Sequence, residues 1–257
     1  MSATPGFGLD GQVAVITGAA SGFGLAVATR LAAEGSRLVL VDKDAGALAA
    51  AAAGLGEPVT VVADVTREQD VIGYMRAAAA AFGRVDLFFN NAGIEGTRGP
   101  MTEIEAADFD AVLAVNVRGV FLGLREALRV MKQQRGGAVV NSASMAGLHG
   151  SARFSPYVAS KHAVIGLSRS AALEGAPFGI RVNAIAPGHI DTRMARALTA
   201  QINPDDPEAA YQSIAQRVPM GRYGTAEEVS NLVTWLLSRQ ASYVSGATYL
   251  VDGAFNA

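Results

Sequence analysis

The sequence predicts an α/β protein: a doubly wound parallel sheet with helices on both faces. Three observations carry this. Short apolar runs recur along the chain and are continuous rather than alternating, as strands buried on both faces require. Stretches of helical periodicity separate them, so strand and helix take turns. The first run, QVAVIT (12–17), passes into the glycine-rich turn TGAASGFG (17–24), which opens a helix.

The elements follow in order. LAVATRLAAEG after the glycines reads as helix, and RLVLVD (37–42) as a strand ending on a carboxylate. AGALAAAAAGLG is an Ala-rich helix, since Ala has the highest helix propensity. PVTVVAD (58–64) is the third strand, EQDVIGYMRAAAAAFG a helix, and VDLFFNNAG a strand into a turn. Apolar residues at 109, 112, 113, 117, 120, 124, 127, 128 and 131 predict one continuous helix over 109–131. Then come GAVVNSAS (strand), 156–174 (helix), IRVNAIAP (strand), AEEVSNLVTWLLS (helix) and TYLVDG (strand). The stretch 193–219 carries prolines and acids between helical pieces and is expected to be a substrate lid. With no repeat and no Pro/Ser-rich linker, residues 1–257 are expected to form a single dinucleotide-binding and catalytic domain.

Composition narrows the class. Half of the 257 residues are hydrophobic and 17% are charged, a core-rich balance far from disorder. A net charge of −2 with interspersed signs gives no reason to expect a nucleic acid or anionic membrane as partner. Cysteine is absent, which excludes disulfides and thiolate-held metals. The three histidines have no metal-ligand spacing, so no metal is expected. The N-terminal MSATPGFGLDG lacks a basic start and apolar core, and no apolar run approaches the roughly 20 residues that span a bilayer. A cytoplasmic location is the expectation.

Two places carry chemistry. In the turn, Gly18, Gly22 and Gly24, with Ser21 and Phe23 among them, permit close backbone approach to a pyrophosphate at a helix N-terminus. Asp42, ending the second strand, can accept hydrogen bonds from an adenosine ribose and repel a 2′-phosphate. Lys43 beside it could instead greet a phosphate, but Asp42 sits where the 2′-oxygen would come, so NAD(H) is expected over NADP(H). In SPYVASKHAV (155–164), Tyr157 and Lys161 lie one helical turn apart on one face. A tyrosine with a pKa of about 10 is a poor base near neutrality, and an adjacent ammonium is expected to lower it.

Gly18–Gly22–Gly24, NNAG (90–93), Asn116, Ser144, YVASK (157–161) and APGHIDT (186–192) together resemble the short-chain dehydrogenase/reductase family. The resemblance covers nearly the whole chain, and Ser144 stands 13 residues before Tyr157, as that pattern requires. It implies a Rossmann-type fold and a hydride-transfer enzyme that interconverts a secondary alcohol and a ketone. Asn116, Ser144, Tyr157 and Lys161 would form its tetrad. Tyr157 would be the acid/base, Ser144 would hydrogen-bond the substrate oxygen, Lys161 would hold the nicotinamide ribose, and Asn116 would help hold a proton-relaying water. By the same resemblance Asp64 and Val65 would meet the adenine, and Asn91, Ala92 and Gly93 the adenosine ribose and central sheet. Pro187, Gly188, Ile190 and Thr192 would meet the nicotinamide. Two departures stand out: Ser142-Ala143-Ser144 replaces paired serines, and Phe23 takes a place usually held by Ile or Leu.

Substrate-lining candidates are Glu95, Ser144, Met145, His149, Arg153, Phe154, Met194 and Tyr211, while His162 and His189 read as structural. The segments NNAGIEG, NVRGVFLGL and NPDDPEAA resemble reductases of small cyclic ketones and diketones, so a small cyclic or aryl ketone is expected. Sugar, steroid or acyl substrates stay open, as do epimerase or dehydratase chemistry and a catalytically silent dinucleotide sensor or scaffold. The family also implies a homotetramer, with 109–131 and 156–174 in one interface and YLVDGAFNA in another.

Overall fold

A computed structural model describes residues 7–257; the N-terminal reading above begins at 1–6, outside them. Among the described residues one seven-stranded, all-parallel sheet has the order β3-β2-β1-β4-β5-β6-β7. The strands are β1 (Val13–Thr17), β2 (Arg37–Asp42), β3 (Val59–Val62), β4 (Leu87–Asn90), β5 (Gly137–Ser142), β6 (Ile180–Pro187) and β7 (Thr248–Val251). The helices are α1 (Gly22–Ala33), α2 (Ala45–Ala52), α3 (Glu68–Phe82), α4 (Ala106–Leu113), α5 (Val120–Gln134), α6 (Ser155–Gly175), α7 (Arg193–Ile202), α8 (Pro207–Arg217) and α9 (Ala226–Leu237).

The continuous apolar runs are explained by two cores, one on each side of the sheet. Val15, Val39, Phe88, Val139 and Val182 face α3, α5 and α6, where Val71, Met75, Ala127 and Val164 meet them. Their neighbours Ala14, Leu38, Leu87, Ala138 and Ile185 face the other way, against Val27, Leu31, Val229 and Leu236 of α1 and α9. Side chains alternate across a strand, so a strand covered on both faces must be apolar at every position. Strand order reverses between β1, which leads outward to β2, and β4, which starts the other half. At that switch point the loops at the carboxyl ends diverge and leave a crevice.

The continuous helix expected over 109–131 is corrected. Ala114–Gly119 between α4 and α5 is a π-helical turn, centred on the fully buried Asn116. Its amide donates to the Ile94 carbonyl at 2.8 Å and accepts from the Ile94 N–H at 2.9 Å, across from the loop after β4. On the same turn Gly119 abuts Val65, where a Cβ would come within 2.9 Å of the valine methyl. Satisfying a buried amide outweighs regular α-helical hydrogen bonding here, and such π-bulges are found often at functional sites. No helix of the described residues is long and apolar enough to cross a membrane, and no group of three His, Cys, Asp or Glu is placed to hold a metal.

Candidate active site

The carboxyl ends of β1, β4, β5 and β6 open into a cleft of about 310 Å³, within the usual size of small-molecule sites. At its centre lies the amino-terminal end of α6. Tyr157 and Lys161 point to the same side of that helix, with the ammonium 5.4 Å from the phenol ring centroid. Lys161 is buried and donates to the Ser142 carbonyl at 2.7 Å, tying α6 to the end of β5. Ser144 stands beside the Tyr157 phenol and acts to lower its pKa, while its Oγ accepts from the Ala146 N–H at 3.2 Å. Phe154 stacks on the Tyr157 ring at 4.6 Å and 17°.

The electrostatics differ from the sequence expectation. Burial pushes Tyr157 up to about 12; Ser144 opposes this, and the charge of Glu95 adds to it. Burial pulls Lys161 down to about 8. Among the protein's own groups desolvation dominates, so the lowering expected from Lys161 together with a positively charged nicotinamide is not reached by the protein groups alone.

Asn116 lies behind this centre. Besides its two bonds to Ile94, it donates to Ser160 Oγ at 3.1 Å, so both amide hydrogens are used within the protein. Its Oδ1 and the Lys161 ammonium both border Gly93, at 3.2 and 3.6 Å from where a Cβ would stand. The amide thus clamps the loop after β4 against α6.

The glycine turn is built for close approach. Gly18 has φ +63, and a Cβ there would press on the Asn91 amide at 3.0 Å. Thr17, unremarked in the sequence reading, organises the junction: its Oγ1 accepts from the Asn91 and Ala92 N–H groups at 2.9 and 3.1 Å. Asn91 returns a bond to the Thr17 carbonyl at 3.0 Å. Ser21 is the N-cap of α1, but its side chain makes no capping bond; the first-turn N–H groups are left without a side-chain acceptor, beside a cleft that Ser21, Gly22 and Phe23 line. Gly24 sits behind the turn, where α1 packs onto the Gly18 carbonyl.

Asp42 lies across from this turn, accepting from the Ala20 and Asp44 N–H groups at 3.1 Å each. Asp64 accepts from the Thr66 N–H at 2.9 Å and hydroxyl at 2.8 Å. The Thr66 bonds, aided by Lys43 and Arg67, hold its carboxyl below the usual range despite burial. Asp42, Lys43, Asp64 and Val65 lie outside the enclosed cleft, on the rim beyond the glycine turn. Asn91, Ala92, Gly93, Pro187, Gly188, Ile190 and Thr192 line it. A glycine turn at a helix N-terminus, a strand-end carboxylate and a cleft leading to a tyrosine fit a dinucleotide.

Among the substrate candidates, Ser144, Met145, His149, Phe154 and Met194 line the cleft. Glu95, Arg153 and Tyr211 do not. Tyr211 is drawn away by stacking on Tyr223 at 3.9 Å, with the Arg196 guanidinium 3.8 Å from its ring centroid. Tyr223 lines the cleft in its stead, with Leu198, Ile202 and Ile214 from the 193–219 stretch. Helical spacing on α7 groups Met194, Leu198 and Ile202, a signal available in the sequence; nothing local marked Tyr223. His189 lines the cleft and meets Phe255 edge-on at 4.9 Å. Burial, with Arg217 nearby, pulls it down to about 4, so it is neutral at physiological pH. His162 faces its own helix, with Nδ1 at 2.9 Å from the Val158 carbonyl.

Residues 18–256 match the profile of a family described as enoyl-(acyl carrier protein) reductase. The chain is 46% identical to levodione reductase of Leifsonia aquatica over 252 residues, 96% of this chain and 94% of that protein. The crystal structure of levodione reductase superposes with a TM-score of 0.93, covering 95% of this chain and 96% of the other. The 2-(R)-hydroxypropyl-CoM dehydrogenase of Xanthobacter autotrophicus is 42% identical, covering 96% and 99% of the two chains. An NAD+-bound xylitol dehydrogenase structure has a TM-score of 0.92 at 38% identity, covering 96% and 99%.

Proposed function

Because the chain belongs to the short-chain dehydrogenase/reductase family, we propose that it interconverts a secondary alcohol and a ketone with NAD(H), using Tyr157 as acid and base. The observation that carries this is the phenol beside Ser144, one helical turn from the buried Lys161, inside the cleft that begins at the glycine turn. A bound nicotinamide dinucleotide supplies or accepts the hydride. The protein's part is to bind, orient and move the proton. Tyr157 gives its proton to the ketone oxygen as hydride arrives, or takes it from the alcohol as hydride leaves. The Ser144 hydroxyl donates to that same oxygen and stabilises its developing charge. Lys161 would hold the nicotinamide ribose, and Asn116 would help hold a water that relays protons to it. Apolar Met145, Phe154, Met194 and Leu198 exclude water and suit a small cyclic or aryl ring.

NAD over NADP rests on Asp42, whose carboxylate accompanies the glycine turn through the Ala20 N–H and would oppose a 2′-phosphate. A screen of cyclic, aryl and aliphatic ketones, following loss of reduced-nicotinamide absorbance, tests both points. Reduction of at least one cyclic ketone with NADH is expected, with NADPH poorer. Asp42→Ala should raise the NADPH-to-NADH ratio of kcat/KM by about tenfold, equivalent to about 1.4 kcal/mol. An unchanged ratio removes Asp42 from the selection, and no ketone reduced with either cofactor rejects the activity.

The homotetramer rests on α5 and α6. Their outer faces share a groove lined by Phe121, Leu124, Leu128 and Leu167, and Phe121 is 46% exposed. The edge strand β7 leaves Leu250 exposed beside the C-terminus. Light scattering at micromolar concentration should report a mass near four chains; a stable monomer refutes it.

A further inference from the structure

We propose that the substrate carries a carboxylate in addition to its ketone or alcohol, and that Arg98 binds it in the cleft, with the exposed Arg153 adding positive charge from outside the lining. This rests on the secondary-alcohol/ketone reading and narrows its substrate class. The first observation is the charge of the lining. Arg98, Lys161 and Arg193 contribute cations to the cleft, and among the described residues no Asp or Glu lines it. Lys161 is engaged by the Ser142 carbonyl, and Arg193 is exposed at the start of α7. Arg98 differs from both.

Its side chain is partly buried, yet among the described residues it has no carboxylate partner. Arg30, Arg67, Arg84, Arg125, Arg129, Arg196 and Arg222 all pair with acids. Arg181, the other partly buried case without an acid, donates to the Leu236, Leu237 and Ser238 carbonyls. The remaining unpaired arginines are exposed, where water solvates a guanidinium adequately. A partly buried guanidinium aimed into a ligand cleft lacks that solvation and has no internal replacement. Burial lowers Arg98 from its ordinary value, and the charge of Arg153 adds to this; both effects are relieved by an anion. An arginine remains charged at neutral pH throughout.

The position suits recognition of the far end of a small substrate. The guanidinium stands 5.1 Å from the Phe154 ring centroid, and Phe154 is the ring that stacks on Tyr157. Cation and acid/base are thus mounted on one aromatic support. The Arg98 N–H donates to Gln201 of α7 at 3.1 Å, and the Gly99 N–H donates to the Arg153 carbonyl at 3.1 Å. The second bond holds the backbone beside Arg98 against that of Arg153. Arg153 itself adopts φ +64, a left-handed conformation unfavourable for a side-chain-bearing residue and frequent at ligand sites. The nearest acid to the reacting centre, Glu95, acts on Tyr157 but does not line the cleft.

The test compares 4-oxocyclohexanecarboxylate with its methyl ester, which share a ring and a ketone but differ in charge. The wild-type enzyme should favour the carboxylate by about tenfold or more in kcat/KM, within the range of one charge-assisted hydrogen-bond pair. Arg98→Gln should reduce that ratio by about tenfold, through KM rather than kcat, and Arg153→Gln by about threefold. NADH binding followed by fluorescence verifies that each variant retains a folded cleft. A wild-type preference for the ester, or a ratio unmoved by Arg98→Gln, overturns the proposal. Where neither ketone turns over, the broader ketone screen decides the redox reading separately. Calorimetric binding of cyclohexanecarboxylate to the NADH-loaded protein then decides: weakening in Arg98→Gln supports the site, and equal affinity in wild type and variant rejects it.

Discussion

Replacing Tyr157 with Phe is expected to lower kcat/KM by about 10³-fold or more while NADH binding stays close to that of the wild type. A positioned proton donor contributes about 10²–10⁴-fold, and here the phenol stands beside Ser144, which acts to lower its pKa. Phe keeps the stacking on Phe154, so the change removes one oxygen and little packing. Wild-type pH dependence follows from the pair. Alcohol oxidation needs the pair to have lost one proton. With Lys161 pulled down to about 8 and Tyr157 up to about 12, oxidation should rise about tenfold per pH unit below about 8 and level off above it. Cofactor binding that adds positive charge moves this midpoint downward. Stopped-flow turnover and fluorescence titration of NADH check both parts, and a Tyr157→Phe enzyme with more than a tenth of wild-type turnover removes Tyr157 as acid/base.

Gly24→Ala is expected to abolish measurable NADH binding and to lower Tm by several degrees. A Cβ at position 24 would be driven into the Gly18 carbonyl oxygen and toward its carbon, both backbone atoms that cannot rotate away. The turn and the first turn of α1 must separate, at a cost of about 1–3 kcal/mol for overpacking. Separation displaces the N–H groups that face the cleft, which damages function more than stability. Gly22→Ala is the contrasting control. Position 22 has φ +53 but open space around it, so Ala there meets only the left-handed penalty of about 1–2 kcal/mol. Calorimetry and NADH titration on both variants separate a clash from a conformational preference. Equal NADH affinity in Gly24→Ala and wild type would contradict the close packing of turn and helix.

Both effects fall on residues legible in the chain. Tyr157 and Lys161 share a face because four residues make about one helical turn, and α6 carries them as that spacing requires. The strands were equally readable, since burial on both faces leaves a continuous apolar run such as VAVIT in β1. The break between α4 and α5 was not. Its residues keep helical spacing, and what inserts the π turn is Ile94, far away in sequence, bonding to Asn116 from the loop after β4. Thr17 was silent for the same reason: its hydroxyl matters only because β4 ends beside β1. Tyr211 was expected in the cleft and Tyr223 was not, and Tyr211 is held off it by stacking on Tyr223 and by Arg196.

Periodicity and spacing, properties of neighbours along the chain, were enough for the sheet-and-helix alternation, the glycine turn and the Tyr157–Lys161 face. The packed molecule alone revealed that burial dominates among the protein groups at the phenol, that Asn116 is clamped by Ile94, and that Arg98 stands in the cleft without an acid. Dielectric surroundings and long-range partners arise when distant segments exclude water together, and no local pattern of residues encodes them.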